Sequence, residues 1–344
     1  MQKHVFPEGP HGDIRCHVSS LSPPQNSERL LALTRQWLPR VSRSFAPSIA
    51  LLEPRMEAPV GLAYLCCRIL DTLEDSTLPV EQKKRHLLTC LSIFHGKQAP
   101  REFLDELRSS RAFEEDSDGA LLLNLEAVLL EVNDLSQATR DILLQCLDEM
   151  GEGMIDMMDH AELKSEDELF RYCHIVAGTV GTFLTGLYLQ QVSIPAPQTQ
   201  TLIAHSENFA QGLQRVNIAA DVGKDMTRKV QFIPRLIEKT TPSLSRHLTF
   251  CRDTLQFLEG GLEYILAIRP ADAYRSFCAL PLLLAGKTLC RVAGHPDVFS
   301  KNGAPRVPRE ETMQLILFCR DFAQDDQALR SAFAEFTGPL RELA

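Results

Sequence analysis

Apolar residues recur at helical spacing along nearly the whole chain. The periodicity begins near Glu28 and runs to the C-terminus, and few stretches alternate apolar and polar in the manner of a half-buried strand. Breaks fall at Pro54, at Glu114-Glu-Asp-Ser-Asp-Gly119, at Ser193-Ile-Pro-Ala-Pro197, at Pro242, at Pro270 and at Ser300-Lys-Asn-Gly-Ala-Pro305. The intervening segments are long enough for helices of about two to six turns. Ser165-Glu-Asp-Glu168 ahead of Leu169 and Phe170 has the form of a capping box and predicts a helix start. No internal repeat and no shift in composition divides the chain. The pattern predicts an all-α fold: one helical domain over 27–344, after a disordered or loosely packed tail over 1–26 that holds Pro7, Gly9, Pro10, Gly12, Pro23 and Pro24.

Two helical segments carry acids on an otherwise apolar stripe. One reads Tyr64-Leu-Cys-Cys-Arg68-Ile-Leu-Asp71-Thr-Leu-Glu74-Asp75, the other Gln214-Arg-Val-Asn217-Ile-Ala-Ala-Asp221-Val-Gly-Lys224-Asp225. At about 100° per residue, Tyr64, Arg68, Asp71 and Asp75 fall within roughly 60° of one another, and Gln214, Asn217, Asp221 and Asp225 within roughly 80°. A single pair of aspartates four apart on a helix is more often a solvated face. Polar groups on a buried stripe are costly unless paired or ligated, and two such stripes can face each other across a cavity. Hard divalent cations suit them, magnesium above all, because it keeps most of its waters and binds one or two carboxylates plus substrate phosphates.

A chain of 344 residues with 44% apolar and 24% charged residues can bury a sizeable core. The net charge of -9, without a Lys/Arg-rich stripe, speaks against nucleic-acid binding. Its ten cysteines include no C-x-x-C pair, and no secretory signal precedes them, so a reducing, cytoplasmic setting is expected. His11, Cys16 and His17 are placed by chance, not as a metal site. No run of 18 apolar residues occurs, so no membrane span is predicted, and the amphipathic 320–344 stretch reads as an ordinary last helix.

The helix after the predicted cap contains Tyr172-Cys-His-Ile-Val-Ala-Gly178-Thr-Val-Gly181. Glycine inside a helix costs about 1 kcal/mol against alanine. Retaining two predicts a close approach there, by another helix or by a ligand. The Tyr172 hydroxyl can reach the same cavity, and His174 is assigned no role.

Ser42-Arg43-Ser44-Phe45, the two acidic stretches, Met150-Gly-Glu-Gly-Met154 and Tyr172-to-Gly181 stand in the order found in squalene and phytoene synthases, and the chain resembles that family over 30–320. Leu70-Asp-Thr-Leu-Glu-Asp75 and Ser276-Phe-Cys-Ala-Leu-Pro281 look most like the squalene synthase branch, whereas Asp221-Val-Gly-Lys-Asp225 is nearer the phytoene synthase form. The resemblance implies one α-helical prenyl-synthase domain with a central cavity. It implies head-to-head (1'-1) condensation of two prenyl diphosphates, farnesyl diphosphate in squalene synthases, through a cyclopropyl diphosphate that NADPH then reduces. About two or three magnesium ions are expected, on Asp71, Glu74, Asp75, Asp221 and Asp225. By the same resemblance, Arg43 and Arg68 clamp diphosphate with Ser42 and Ser44 beside them. Tyr172 takes the proton lost on ring closure, a task the released diphosphate shares. Gln214 and Asn217 orient phosphate or metal-bound water, and Phe45 and Tyr64 line the carbocation cavity. Phe277, Lys301, Arg306 and Arg309 fall where the family meets NADPH, without a dinucleotide-binding fold.

The second motif departs from the family. Ala220 stands where an arginine is usual and Lys224 where a glutamate is usual. Lys224 is expected to contact diphosphate as a point charge, or else the second site is weakened; Arg228 and Lys229 serve in an altered basic loop. Other outcomes are a phytoene-, dehydrosqualene- or hydroxysqualene-type synthase without reduction, transfer of one prenyl group to an aromatic acceptor, or a non-enzymatic binding protein. Peripheral membrane contact for product release and the oligomeric state stay open.

Overall fold

A computed structural model describes residues 25–342 except 43–44, 111, 114–115, 160–161, 239, 270–271, 302 and 305. His11, Cys16, His17, Arg43, Ser44 and residues 1–24 of the tail predicted over 1–26 lie outside the described residues; its last two residues begin the first helix. The chain is all-α. The N-terminal part runs α1 (Gln25–Val41), α2 (Ala46–Ile49), α3 (Pro54–Asp75), α4 (Val80–Phe94) and α5 (Pro100–Ser110). Next come α6 (Ser117–Leu122), α7 (Leu125–Asp134), α8 (Gln137–Met157) and α9 (Glu166–Cys173). A single π-helical turn, His174–Gly178, joins α9 to α10 (Thr179–Gln191). The long α11 (Ala196–Thr227) leads to a two-stranded antiparallel ribbon, β1 (Ile237–Glu238) with β2 (Thr241–Pro242). The chain closes with α12 (Leu244–Ala267), α13 (Ala273–Val292), α14 (Arg309–Phe322) and α15 (Asp326–Glu342).

The local signals act as expected. Ser165 accepts a hydrogen bond from the Glu168 amide, and the Glu168 carboxylate reaches back to the Lys164 amide at 2.6 Å. Pro54 opens α3 and Pro197 lies in the first turn of α11, both positions without a helical N–H partner. The small ribbon was not anticipated from periodicity; at two residues per strand it is too short to show any.

Buried apolar side chains from Leu30 to Leu340 form one continuous core. α3 is buried along almost its full length, from Met56 to Leu73, and α11 buries one face between Ala210 and Gly223, through Gly212, Arg215, Val216, Ala219 and Val222. The acidic stripes therefore sit on core helices. By length and composition the run Glu166–Gln191, mean hydropathy 1.2, is long and apolar enough to cross a membrane although it holds no unbroken run of 18 apolar residues; it is a weak candidate, 44% buried in the bundle. All nine described cysteines are free thiols, and only Cys290 is not fully buried.

Arg275 ties the C-terminal helices together. It is fully buried and donates Nε to the Ala323 carbonyl at 2.7 Å, Nη1 to the Ile268 carbonyl at 2.9 Å and Nη2 to Asp326. One side chain thereby closes the end of α12, the end of α14 and the start of α15.

Candidate active site

α3 delivers the first acidic stripe. The Arg68 guanidinium donates to the Tyr64 hydroxyl at 2.8 Å and lies 3.8 Å from the Asp71 carboxylate, and the Tyr64 hydroxyl donates to the Val41 carbonyl at 3.3 Å. Arg68 Nε is buried without a partner among the described residues, so one donor of the fork is left for another acceptor. Burial, outweighing Arg68, pushes the Asp71 carboxyl up to about 6. Burial, followed by Asp75 and Asp71, pushes Glu74 up to about 7. Such carboxyls carry more negative charge than their surroundings balance, which is the condition a divalent cation relieves.

α11 delivers the second stripe. Gln214 and Asn217 pair at 3.4 Å. A Schellman turn ends the helix: the Val230 amide donates to the Asp225 carbonyl at 3.0 Å and the Lys229 amide to the Met226 carbonyl at 3.1 Å. Lys229 holds the left-handed position, φ 62°, that glycine usually takes. That turn aims Arg228 across the gap, where its Nη1 donates to Asp75 at 3.3 Å. Burial, then Asp221, raises the Asp225 carboxyl to about 6, and Asp75 adds to the shift. The two stripes thus face each other within electrostatic reach, with Arg228 between them.

Between the stripes lies an apolar cavity of about 260 Å³. Phe45, Tyr64, Phe183 and Phe277 are among its walls, and Arg68, Asp71, Gln214 and Asn217 enter it. The Phe45 and Tyr64 rings stand 6.0 Å apart. Ser42 is buried, and its hydroxyl accepts from the Phe45 and Ala46 amides, which fixes the entry of α2.

Tyr172 sits beside the acidic stripe of α3, stacked on Phe232 at 4.5 Å. Burial, with Glu74, Asp75 and Asp71 behind it, pushes its phenol well above the usual range. The hydroxyl is therefore held as the neutral phenol, not as a phenolate. Three polar clamps hold its helix to α11. Arg215, buried and stacked on Phe257 at 4.4 Å, lies 3.6 Å from Glu166. Gln211 donates to the Phe170 carbonyl at 2.8 Å, and His174 Nδ1 lies 2.9 Å from Glu207. The glycines face α11: a Cβ on Gly178 would stand 2.6 Å from the Glu207 carboxylate, and one on Gly181 3.1 Å from the Ser206 carbonyl oxygen. Gly181 also lines the cavity.

Asp118, in the first turn of α6, went unnoticed in the sequence because it sits in a segment read as a break. Its Oδ1 is buried without a partner among the described residues. Burial raises its carboxyl, opposed by Arg68 and reinforced by Asp116 and Asp75. It is a further acid beside the first stripe.

Asp221 is engaged by two cations, Lys224 Nζ at 2.6 Å and Arg306 Nη2 at 2.7 Å. Lys301 is exposed on the segment before α14 and Arg309 as the first residue of that helix, and Phe277 lies in the cavity wall, 5.6 Å from the Tyr274 ring. Of the four residues expected at NADPH, Phe277 lines the cavity, Arg306 is paired with Asp221, and Lys301 and Arg309 are exposed and do not line it.

Among the described residues no three His, Cys, Asp or Glu side chains converge closely enough to hold a metal unaided. Magnesium does not require that, because it takes one or two carboxylates and completes its shell with water and phosphate. Asp71, Glu74, Asp75 and Asp225 fit it; Asp221, already paired, fits it less well.

The family model for squalene/phytoene synthases matches residues 38–311. A probable squalene synthase of Neurospora crassa is 29% identical over 82% of this chain and 62% of its own length. The squalene synthase of Schizosaccharomyces pombe is 29% identical over 89% and 67%, and that of Bos taurus 27% over 82% and 68%. The chain thus spans roughly two thirds of the length of these curated relatives. The solved TcSQS–ligand complex superposes with a TM-score of 0.76 at 25% identity, covering 92% of both chains. A dehydrosqualene synthase complex shares the fold at TM-score 0.60 and 18% identity, over 87% of this chain and 98% of its own.

Proposed function

This chain belongs to the squalene/phytoene synthase family, and we propose that it is a prenyltransferase that condenses two farnesyl diphosphates head to head (1'-1), through a cyclopropyl diphosphate, and reduces the product to squalene with NADPH. The observation that carries the reading is the pair of acidic stripes facing each other at the mouth of an apolar cavity, bridged by Arg228 and Asp75.

Each residue has a part that its position supports. Asp71, Asp75 and Asp225, with Glu74 behind them, would hold magnesium, which when bound would supply positive charge to stabilise the departing diphosphate. Arg68 offers its free Nε and Arg228 its fork to diphosphate oxygens. The aromatic faces of Phe45 and Tyr64 stabilise the cation left behind. The apolar walls exclude water that would quench it. Gln214 and Asn217 orient the departing group from the far wall. The neutral Tyr172 hydroxyl orients the released diphosphate, which takes the proton lost on ring closure. Phe277, in the cavity wall, would support the nicotinamide, and the exposed Lys301 and Arg309 would meet the cofactor phosphates.

A second reading, condensation without reduction, is favoured by one observation: Arg306, one of the three cations assigned to NADPH, is spent on Asp221. Incubation with farnesyl diphosphate and magnesium, with and without NADPH, separates the two. Squalene formed only with NADPH supports the first. A thirty-carbon product regardless of NADPH supports the second, and no thirty-carbon product from folded protein overturns both.

The raised carboxyls give a stability signature. A carboxyl whose folded pKa lies above its unfolded value favours folding below the unfolded value, and that contribution is lost as pH rises through the folded one. For Glu74 the window runs from 4.5 to about 7, and for Asp71 and Asp225 from 3.8 to about 6. In chelator these groups should therefore cost stability between pH 6 and 8 and not near pH 4. Magnesium binds the ionised forms, so its increment in Tm should be larger at pH 8 than at pH 5.5. Equal increments by scanning calorimetry would remove these carboxyls from the cation site.

A further inference from the structure

The two acidic motifs differ in how their charge is met. On the first, Asp71 has Arg68 at 3.8 Å and Asp75 has Arg228 at 3.3 Å, both long beside the roughly 2.7–2.9 Å of a charge-assisted hydrogen bond. On the second, Lys224 Nζ at 2.6 Å and Arg306 Nη2 at 2.7 Å converge on one oxygen, Asp221 Oδ1.

The convergence is built from two directions. Lys224 is three residues along the same helix from Asp221, so its ammonium is always within reach. Arg306 comes from a segment seated directly on the α11 backbone. A Cβ on Gly223 would stand 2.1 Å from the Ser300 carbonyl oxygen, so that glycine alone admits the segment at this depth. Ala220 beside it adds no bulk.

Two unit positive charges on one carboxylate oxygen equal the charge of one divalent ion. Both are tethered to the protein and compete with a free ion at high effective concentration. They also present N–H donors, to which a diphosphate oxygen binds without an intervening metal.

We propose that Lys224 and Arg306 replace a divalent cation at Asp221, so that this protein holds its ions on the first motif and on Asp225 and receives diphosphate at Asp221 through its own nitrogen donors. The proposal rests on the diphosphate chemistry above and changes its ion count.

Manganese, a paramagnetic substitute for magnesium on oxygen ligands, provides the test. Free Mn²⁺ is followed by electron paramagnetic resonance while the protein is titrated in the presence of inorganic diphosphate; the variants are Asp71→Asn, Asp221→Asn and the double Lys224→Gln, Arg306→Gln, each checked for folding by its thermal melt. Asp71→Asn should lose an ion or bind about tenfold more weakly, a difference of about 1.4 kcal/mol. Asp221→Asn should keep the wild-type ion count and affinity. The double variant should gain an ion or bind about tenfold more tightly. Loss of an ion in Asp221→Asn, or an unchanged double variant, overturns the proposal while leaving the condensation reading in place if product still forms. Wild-type protein that binds no Mn²⁺ overturns both.

Discussion

Asp75→Ala is expected to lower kcat for farnesyl diphosphate consumption by about a thousandfold. A bound divalent ion supplies several kcal/mol of charge stabilisation to the departing diphosphate, and each 1.36 kcal/mol is tenfold in rate, so about 4 kcal/mol gives this figure. The side chain is 56% exposed at the end of α3, and its ion-pair partner, Arg228, is 63% exposed. Exposed pairs of this kind add about 0–1 kcal/mol to stability. The variant should therefore fold as the parent does, and the loss will be chemical, not structural. Diphosphate release at saturating magnesium, beside a thermal melt, measures both sides. A kcat within tenfold of the parent would take Asp75 out of the ion site, and with it the case for opposed acidic stripes.

Arg275→Met should have the largest effect on the fold. Arg275 is fully buried, and its three hydrogen bonds reach elements 48 and 51 residues away as well as the end of α12. Methionine fills comparable space but leaves the Ala323 and Ile268 carbonyls without these donors. Asp326 is 60% exposed and regains water when Arg275 is removed, so the cost comes from the two carbonyls, about 1–3 kcal/mol for each buried acceptor left unsatisfied. Urea denaturation should show the loss as a lower midpoint with an unchanged slope. A change under 1 kcal/mol would mean that Asp326 and the helix ends find other partners.

Spacing made the site's scaffold legible and its charge balance illegible. The aspartates four apart lie on one stripe in each helix, and the Ser165 cap and the proline breaks mark helix ends where the structure has them. Helical periodicity depends only on near neighbours, which is why it transfers from sequence to structure. Arg306 and Asp221 are 85 residues apart, and Arg228 and Asp75 are 153 apart; no local pattern encodes either meeting. Lys224 could have been placed, because a lysine three residues after an aspartate on a helix is an ion pair by default. Asp118 was hidden in a polar stretch whose helix is only six residues long. Gly178 was read correctly as a point of close approach, but only the fold reveals that Glu207 is what approaches.

The buried thiols have a use beyond packing. Burial pushes Cys66, Cys90, Cys251 and Cys319 upward, away from the thiolate that attacks alkylating reagents. Modification of each can proceed only while its surroundings are open, so its rate reports how often that part of the bundle comes apart. Cys66 sits on α3, Cys251 on α12 and Cys319 on α14, and peptide mapping of alkylated protein would rank those helices by local opening without any introduced label.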